Sequence, residues 1–205
     1  MGLYREHVLP RLIDRACGTG ELRQWRRRVA EGLAGTVVEI GFGSGLNMEA
    51  YPPEVELVYA VEPAEVARRL AAKRIDAAAA RVEHVGLRGE EIPLPDASCD
   101  GALSTFTLCT IPDVEAALAE LVRVLKPGAP FHVLEHGLAP DPGVARWQQR
   151  LEPIQRRVAD GCPLTRDPVA LLEGAGFTVV EHRSGYARGP KPYTYITTAK
   201  ATAPS

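Results

Sequence analysis

The stretch Val37-Val38-Glu39-Ile40-Gly41-Phe42-Gly43-Ser44-Gly45 carries the strongest structural signal in the chain. Its apolar, β-branched start predicts a buried strand, and the three alternating glycines that follow predict a tight turn. Because glycine has no Cβ, the backbone amides of such a turn can approach a ligand closely. The spacing is G-x-G-x-G, whereas the dinucleotide fingerprint requires its third glycine one residue later, at the position of Leu46.

The composition is that of an ordinary globular protein. The chain has 205 residues, enough for one domain, of which 45% are hydrophobic and 24% are charged. A formal net charge of −2 offers no general attraction to nucleic acid. No apolar run approaches the ~20 residues that span a bilayer, so we expect no stable membrane insertion. The four cysteines have no metal-site spacing and suit a reducing compartment, so we expect no metal and a cytoplasmic location.

The order of apolar runs predicts an α/β fold. From Thr36 onward, short apolar runs alternate with segments of helical periodicity, which is typical of βαβ units and a parallel sheet. Two amphipathic segments, 3–16 and 21–33, precede this pattern. The expected strands are 36–40, 56–61, 81–86, 99–104, 129–135, 177–181 and 193–198. The expected helices between and after them are 45–50, 64–79, 113–125, 142–159 and 167–174, with Asp113 as an N-cap.

Two acids complete the pattern around the glycine turn. Glu39 stands two residues before the first glycine, and Glu62 ends the next apolar strand, 21 residues after Gly41. With these acids the chain resembles the class I methyltransferases that use S-adenosylmethionine. The resemblance implies a Rossmann-like, doubly wound, mostly parallel seven-stranded sheet with an antiparallel last strand. It also implies an N-terminal helical lid, residues 1–35, over a single methyltransferase domain, residues 36–200.

The resemblance assigns roles to the residues of the turn. Glu39 is expected to face the ammonium group of the donor's methionine portion, although an acid exposed at a strand end is the alternative. Gly41, Gly43 and Gly45 are expected to admit the methionine and ribose portions of the donor. Asn47 binds the methionine carboxylate or, equally well on sequence grounds, caps a helix.

Further donor contacts are expected along the next strands. Glu62 is expected to accept hydrogen bonds from the two ribose hydroxyls, the alternative being an N-cap or first-turn acid of the helix that starts at Ala64. An arginine, Arg88, stands where many relatives have an acid that contacts adenine, and arginine cannot accept a hydrogen bond. The remaining contacts are therefore expected from Pro63, Gly89, Glu90, Thr105 and Phe106.

Three segments narrow the resemblance to one branch, the methyltransferase-like alkyl-thiol methyltransferases. These segments are Glu135-His136, Trp147-Gln148-Gln149 and Asp160-Gly161-Cys162-Pro163-Leu164-Thr165-Arg166. The branch implies a small, largely apolar acceptor, which is a thiol or, alternatively, a phenolic, heterocyclic or lipid amine acceptor of O- or N-methylation. His136 is a candidate base or simply a hydrogen-bonded strand-end residue, and Asp160 orients it or caps a turn. Tyr4, His7 and Arg166 are the candidate acceptor-side contacts.

The sequence leaves two alternative functions open. A nicotinamide-dependent oxidoreductase and a non-catalytic protein that binds S-adenosylmethionine are the alternative functions. Gln24-Trp25-Arg26-Arg27-Arg28 is expected to be a solvated helix face rather than a nucleic-acid site. Cys109 and Cys162 are expected to be small apolar wall residues. We expect a monomer or a homodimer.

Overall fold

The computed structural model describes residues 4–159 and 161–205 and contains a single sheet of seven strands. The strands are β1 (Gly35–Ile40), β2 (Val55–Val61), β3 (Arg81–Gly86), β4 (Gly101–Thr105), β5 (Pro130–His136), β6 (Thr178–Tyr186) and β7 (Tyr195–Thr202). Their order is β3-β2-β1-β4-β5-β7-β6, and β7 runs antiparallel to both of its neighbours while β1 to β5 are parallel. The predicted Rossmann-like sheet with its antiparallel last strand is confirmed.

The helices surround this sheet. A π-helical turn, Tyr4–Val8, leads into α1 (Leu9–Cys17), and the others are α2 (Gly20–Ala30), α3 (Glu65–Asp76), α4 (Val114–Val124), α5 (Pro142–Val158), α6 (Pro168–Gly174) and α7 (Lys191–Thr194). Asp113 caps α4 as expected, since its carboxylate accepts from the amide of Ala116. The helix expected at 45–50 is wrong, because Gly45 has φ +74° and the segment forms successive turns instead.

Alternate residues of each central strand pack on opposite faces of the sheet. Val38 and Ile40 belong to the core that includes α4 and α6, whereas Val37 belongs to the core that includes α2 and α3. Both faces of β4 are buried along its whole length, which matches the continuous apolar run of a covered parallel strand. The centre of the sheet is therefore covered on both sides.

The strand order reverses between β1 and β4. The chain builds outward from β1 through β2 and β3, and then returns to place β4 on the other side of β1. At such a switch point the loops after the two strands diverge and leave a crevice at their carboxyl ends. The glycine turn follows β1 and Phe106 follows β4, so both predicted motifs lie at this crevice. Within 4–159 and 161–205, no helix combines the length and the apolar character required to cross a bilayer.

Candidate active site

Glu62 connects the end of β2 with the glycine turn. One carboxylate oxygen accepts a hydrogen bond from the amide of Gly43 at 2.8 Å, and the other accepts from the amide of Ala64 at 2.7 Å. The side chain is 7% exposed, and burial raises the pKa of its carboxyl group, which the two amide donors counteract. Each carboxylate oxygen can accept more than one hydrogen bond, so both keep capacity for a further donor.

Glu39 is the centre of a buried polar network. Its carboxylate accepts from the amide nitrogen of Asn47 at 2.7 Å and from the hydroxyl of Tyr51 at 2.5 Å. The same Asn47 nitrogen donates to the hydroxyl of Thr105 at 3.0 Å. Burial raises the pKa of Glu39 to about 7, although the hydrogen bonds from Tyr51 and Asn47 and the charge of Arg26 partly oppose this rise. The alternative of an exposed strand-end acid is wrong, because Glu39 is completely buried.

Asn47 presents an acceptor rather than a donor. Both hydrogens of its side-chain amide are directed at Glu39 and Thr105, so they are not available to a carboxylate. Its carbonyl oxygen is buried and has no hydrogen-bond partner among the described residues. No helix begins at this residue, so the capping alternative is wrong. A free buried acceptor suits an ammonium group, and it does not suit the methionine carboxylate that the sequence suggested.

The glycines of the turn serve different purposes. A Cβ on Gly41, which has φ +70°, would lie 2.0 Å from the hydroxyl oxygen of Thr107, so this glycine lets two loops touch. A Cβ on Gly43 would meet nothing closer than a backbone oxygen at 3.8 Å. The backbone at Gly43 therefore borders open space, as a ligand cradle requires.

Phe106, the first residue after β4, has a strained backbone conformation. Its φ is +55°, a value that residues with a Cβ rarely adopt and that costs roughly 1–2 kcal/mol. The ring centroid lies 4.9 Å from that of His136, and the Arg26 guanidinium lies 5.6 Å from the same centroid on the ring face. Strained residues cluster at functional sites because the surrounding structure holds them in place. The strained backbone of Phe106 is therefore consistent with a functional role at the carboxyl end of β4.

The burial of Arg26 contradicts the prediction of a solvated helix face. Its neighbours Arg27 and Arg28 are exposed, but Arg26 is only 3% exposed and donates to the carbonyl oxygen of Cys17 at 2.8 Å. Its Nε is buried without a partner among the residues that the structure describes. The sequence did hold a signal, since Arg26 follows Leu22 by four residues and precedes Val29 by three, on the buried stripe of α2.

His136 lies at the end of β5, and its ring packs against that of Phe106. Burial lowers the pKa of its imidazole to about 4, and a hydrogen bond with the backbone of Tyr193 opposes this only in part. The imidazole is therefore neutral near pH 7, with a buried Nδ1 that has no partner in the described part of the chain. Asp160, its predicted orienting partner, lies outside the described residues.

Two of the three predicted acceptor contacts, Tyr4 and Arg166, donate hydrogen bonds to backbone carbonyl groups. The hydroxyl of Tyr4 donates to the carbonyl oxygen of Val158 at 3.0 Å, and the side chain of His7 is exposed. Arg166 donates to the carbonyl oxygen of Leu108 at 2.6 Å. Arg166 thereby supports the turn that follows Phe106, which is a structural role that its position in the sequence did not indicate.

Residues of the branch-specific segments also hold together the loops that follow β5. Gln148 is buried, accepts from the amide of Ala139 at 2.9 Å, and donates to the carbonyl oxygens of Gly137 and Leu164 at 3.0 and 3.3 Å. The sulfur atoms of Cys109 and Cys162 lie 2.9 Å apart in the buried interior. The segment that contains Trp147-Gln148-Gln149 thus connects the exit of β5 to the segment that ends at Arg166.

Glu135 lies at the site but is not among the residues predicted from the sequence. Its carboxylate accepts from the amides of Thr107 and Leu108 at 2.7 and 2.9 Å, which fixes the loop that follows Phe106. Burial raises its pKa to about 7. The sequence signal is the pair Glu135-His136 at the end of an apolar strand, where both side chains reach the carboxyl edge of the sheet.

The predicted adenine contacts lie on the loops that follow β2 and β3. Pro63 directly follows Glu62 and is exposed. Gly89 is buried, and a Cβ there would touch Ile111 and Ala117 at 3.4 Å, so its backbone approaches α4 closely. Glu90 lies within 3.9 Å of the Arg88 guanidinium. Arg88 is thus engaged by an acid from its own loop.

Comparisons with known proteins agree with this geometry. A family described as "Methyltransferase domain" matches residues 38–133. A thiol S-methyltransferase (TMT1B) of Rattus norvegicus is 33% identical over 154 residues, covering 71% of this chain and 61% of that protein. The Homo sapiens TMT1B is 31% identical over 175 residues, covering 80% and 68%. This chain thus spans less than two thirds of the length of the rat protein.

More distant matches include other methyltransferases. A ubiquinone/menaquinone biosynthesis C-methyltransferase of Syntrophotalea carbinolica is 28% identical over 204 residues, covering 87% of this chain and 86% of that one. The crystal structure of a SAM-dependent methyltransferase from Aquifex aeolicus aligns with a TM-score of 0.62 at 21% identity, covering 95% and 98%. These matches favour the methyltransferase over the nicotinamide alternative. The chain belongs to the class I S-adenosylmethionine-dependent methyltransferases, in the branch that contains the thiol S-methyltransferases.

Proposed function

We propose that this methyltransferase acts on the thiol group of a small, largely apolar acceptor. The names of the rat and human relatives suggest this acceptor class. The observation that carries the proposal is the 33% and 31% sequence identity to these two proteins. In addition, burial lowers the pKa of His136, which lies beside Phe106, to about 4, so this imidazole is a weak base. A free thiol has a pKa near 8.5 and is partly ionised at neutral pH, so it needs no strong base. A phenol or a protonated amine would need one.

The donor is assigned to the crevice between β1 and β4. Glu62 would accept from the ribose hydroxyls, and the open space beside Gly43 would admit the chain that leads to the sulfur. Glu39 and the free oxygen of Asn47 would accept from the ammonium group. S-adenosylmethionine supplies an activated methyl group on its sulfonium, so the protein's task is to align the acceptor and exclude water, which can supply roughly 7–11 kcal/mol of the barrier.

Residues 1–35 are assigned as a lid over this crevice. The carboxylate of Asp14 in α1 accepts from the hydroxyl of Ser44 at 2.6 Å and from the guanidinium of Arg74 at 2.8 Å. These two contacts hold α1 against the glycine turn. If α1 is a lid, hydrogen exchange of its amides slows when adenosylhomocysteine is added, and unchanged exchange would count against the assignment.

The roles of Asp160, Tyr4, His7 and Arg166 toward the acceptor stay predictions of the sequence. The same holds for the cytoplasmic location, for the monomeric or homodimeric state, and for the expectation that the protein binds no nucleic acid. A donor-binding protein without catalysis is distinguished by the assay below.

The test is methyl transfer from labelled S-adenosylmethionine to matched acceptors. An alkyl thiol, the alcohol and the amine of the same chain length, and a phenol are each incubated with the purified full chain. We expect label on the thiol alone. Label on the phenol or the amine without label on the thiol would overturn the proposal, and binding without any transfer would indicate a non-catalytic protein.

One variant distinguishes thiol methylation from O- or N-methylation. His136→Asn should keep thiol methylation within about tenfold of the native rate, because no strong base is required. The matched control is His182→Asn, which alters an exposed histidine of β6. A loss of more than a hundredfold in turnover with unchanged donor affinity would instead make His136 the base for an O- or N-methylation.

A further inference from the structure

The buried guanidinium of Arg26 is not used by the assignments above. Arginine is rarely buried without a matching acceptor, because the charge loses its hydration. Here one guanidinium nitrogen donates to the Cys17 carbonyl oxygen, and Nε has no partner among residues 4–159 and 161–205. The side chain is 3% exposed, so bulk water does not supply the missing acceptor. A ligand atom is the remaining candidate for that nitrogen.

The surroundings of Arg26 define the charge of that ligand. Its guanidinium lies on the ring face of Phe106, at the crevice. Burial lowers the pKa of Arg26, and Cys17 followed by Glu39 opposes this by raising it. Glu39 and the free oxygen of Asn47 are acceptors, which suit a cationic group. A methionine tail carries an ammonium and a carboxylate together. Glu39 and Asn47 account for the ammonium, and a hydrogen-bond donor is needed for the carboxylate.

We infer that Arg26 binds the carboxylate of the methionine portion of S-adenosylmethionine. The guanidinium would donate from Nε, and the ammonium of the same tail would lie against Glu39 and Asn47. This inference rests on the proposed donor site. It makes α2 a part of that site and explains why an arginine occupies the buried stripe of a helix whose other arginines are solvated.

The experiment compares two ligands that differ only in the carboxylate. Adenosylhomocysteine and its decarboxylated analogue both keep the adenosine, the sulfur and the amine, so only the first can engage Arg26 as inferred. Their affinities for the native protein, Arg26→Met and Arg26→Lys are measured by calorimetry. In Arg26→Met the affinity for adenosylhomocysteine should fall about 10- to 100-fold, as expected for a lost charged hydrogen bond, and the affinity for the analogue should stay within about threefold.

Two further variants keep the result interpretable. Arg27→Met changes the exposed neighbouring arginine and should leave both affinities unchanged. If Arg26→Met does not fold, Arg26→Lys retains the charge without the planar donor group, and it should weaken adenosylhomocysteine binding by at least threefold without affecting the analogue.

The outcomes separate the inference from the proposed function. Equal losses for both ligands, or no loss for either, would overturn the role of Arg26 while the donor site stands. Failure of the native protein to bind adenosylhomocysteine at all would instead overturn the donor site itself.

Discussion

Replacing Glu62 by glutamine tests the donor site most directly. Both carboxylate oxygens of Glu62 accept from backbone amides, and the side-chain NH₂ of glutamine would place a donor against one of those amides. The altered oxygen would also be unable to accept from a ribose hydroxyl. A hydrogen bond to a charged group is worth about 1.5–3 kcal/mol, so the affinity for adenosylhomocysteine should fall about 10- to 150-fold.

Stability should change less than affinity in Glu62→Gln. One backbone amide loses its acceptor, but burial disfavours the charge of Glu62, so removing that charge offsets part of the loss. We expect a net loss of about 1 kcal/mol in the free energy of unfolding, measured in urea, alongside the calorimetric titration. Glu56→Gln is the matched control, since Glu56 is an exposed acid of the same strand. Native affinity in Glu62→Gln would refute the assignment of the ribose.

Substitutions at three other positions test features of the crevice. Phe106→Gly should be more stable than Phe106→Ala by about 1 kcal/mol in urea unfolding, because only glycine adopts φ +55° without strain, and the opposite order would contradict that conformation. Gly41→Ala should lower the free energy of unfolding by about 2 kcal/mol or more, because its Cβ would lie 2.0 Å from Thr107; an unchanged melting temperature would exclude this contact. Burial raises the pKa of Glu135 to about 7 from 4.5, so the folded state holds a proton that the unfolded chain has already released. The stability that Glu135 contributes is therefore full below pH 4.5 and is lost as the pH rises through 7. Glu135→Gln cannot ionise and should gain about 3 kcal/mol on the native protein between pH 4.5 and pH 8, whereas parallel stability curves would show that Glu135 has an ordinary pKa.

The fold was accessible from the sequence because its signals are local. Alternating apolar runs and helical segments predict the strands, and a proline followed by Asp113 predicts the start of α4. The glycine spacing and the acids at 39 and 62 also place the crevice, because the carboxyl ends of parallel strands meet at one edge. These inferences need no knowledge of which side chains touch.

The parts that sequence reasoning missed depend on packing between distant segments. Three consecutive arginines suggest a solvated surface, and only the docking of α2 onto the sheet buries Arg26 and leaves the next two outside. The left-handed backbone of Phe106 is similarly hidden, because phenylalanine does not favour that conformation and the loop after β4 imposes it. The free acceptor of Asn47 emerges only once its amide hydrogens are assigned to Glu39 and Thr105.

The crevice is assembled from residues that are remote in the chain, from Arg26 in α2 to Phe106 after β4. An unfolded or half-folded polypeptide therefore has no affinity for the donor. Because the donor binds only the native state, its binding raises the free energy of unfolding. At a concentration one hundred times the dissociation constant, a ligand of this kind adds about 2.7 kcal/mol to the free energy of unfolding. Thermal shifts with a library of thiols, recorded in the presence of adenosylhomocysteine, would thus rank acceptors without any turnover.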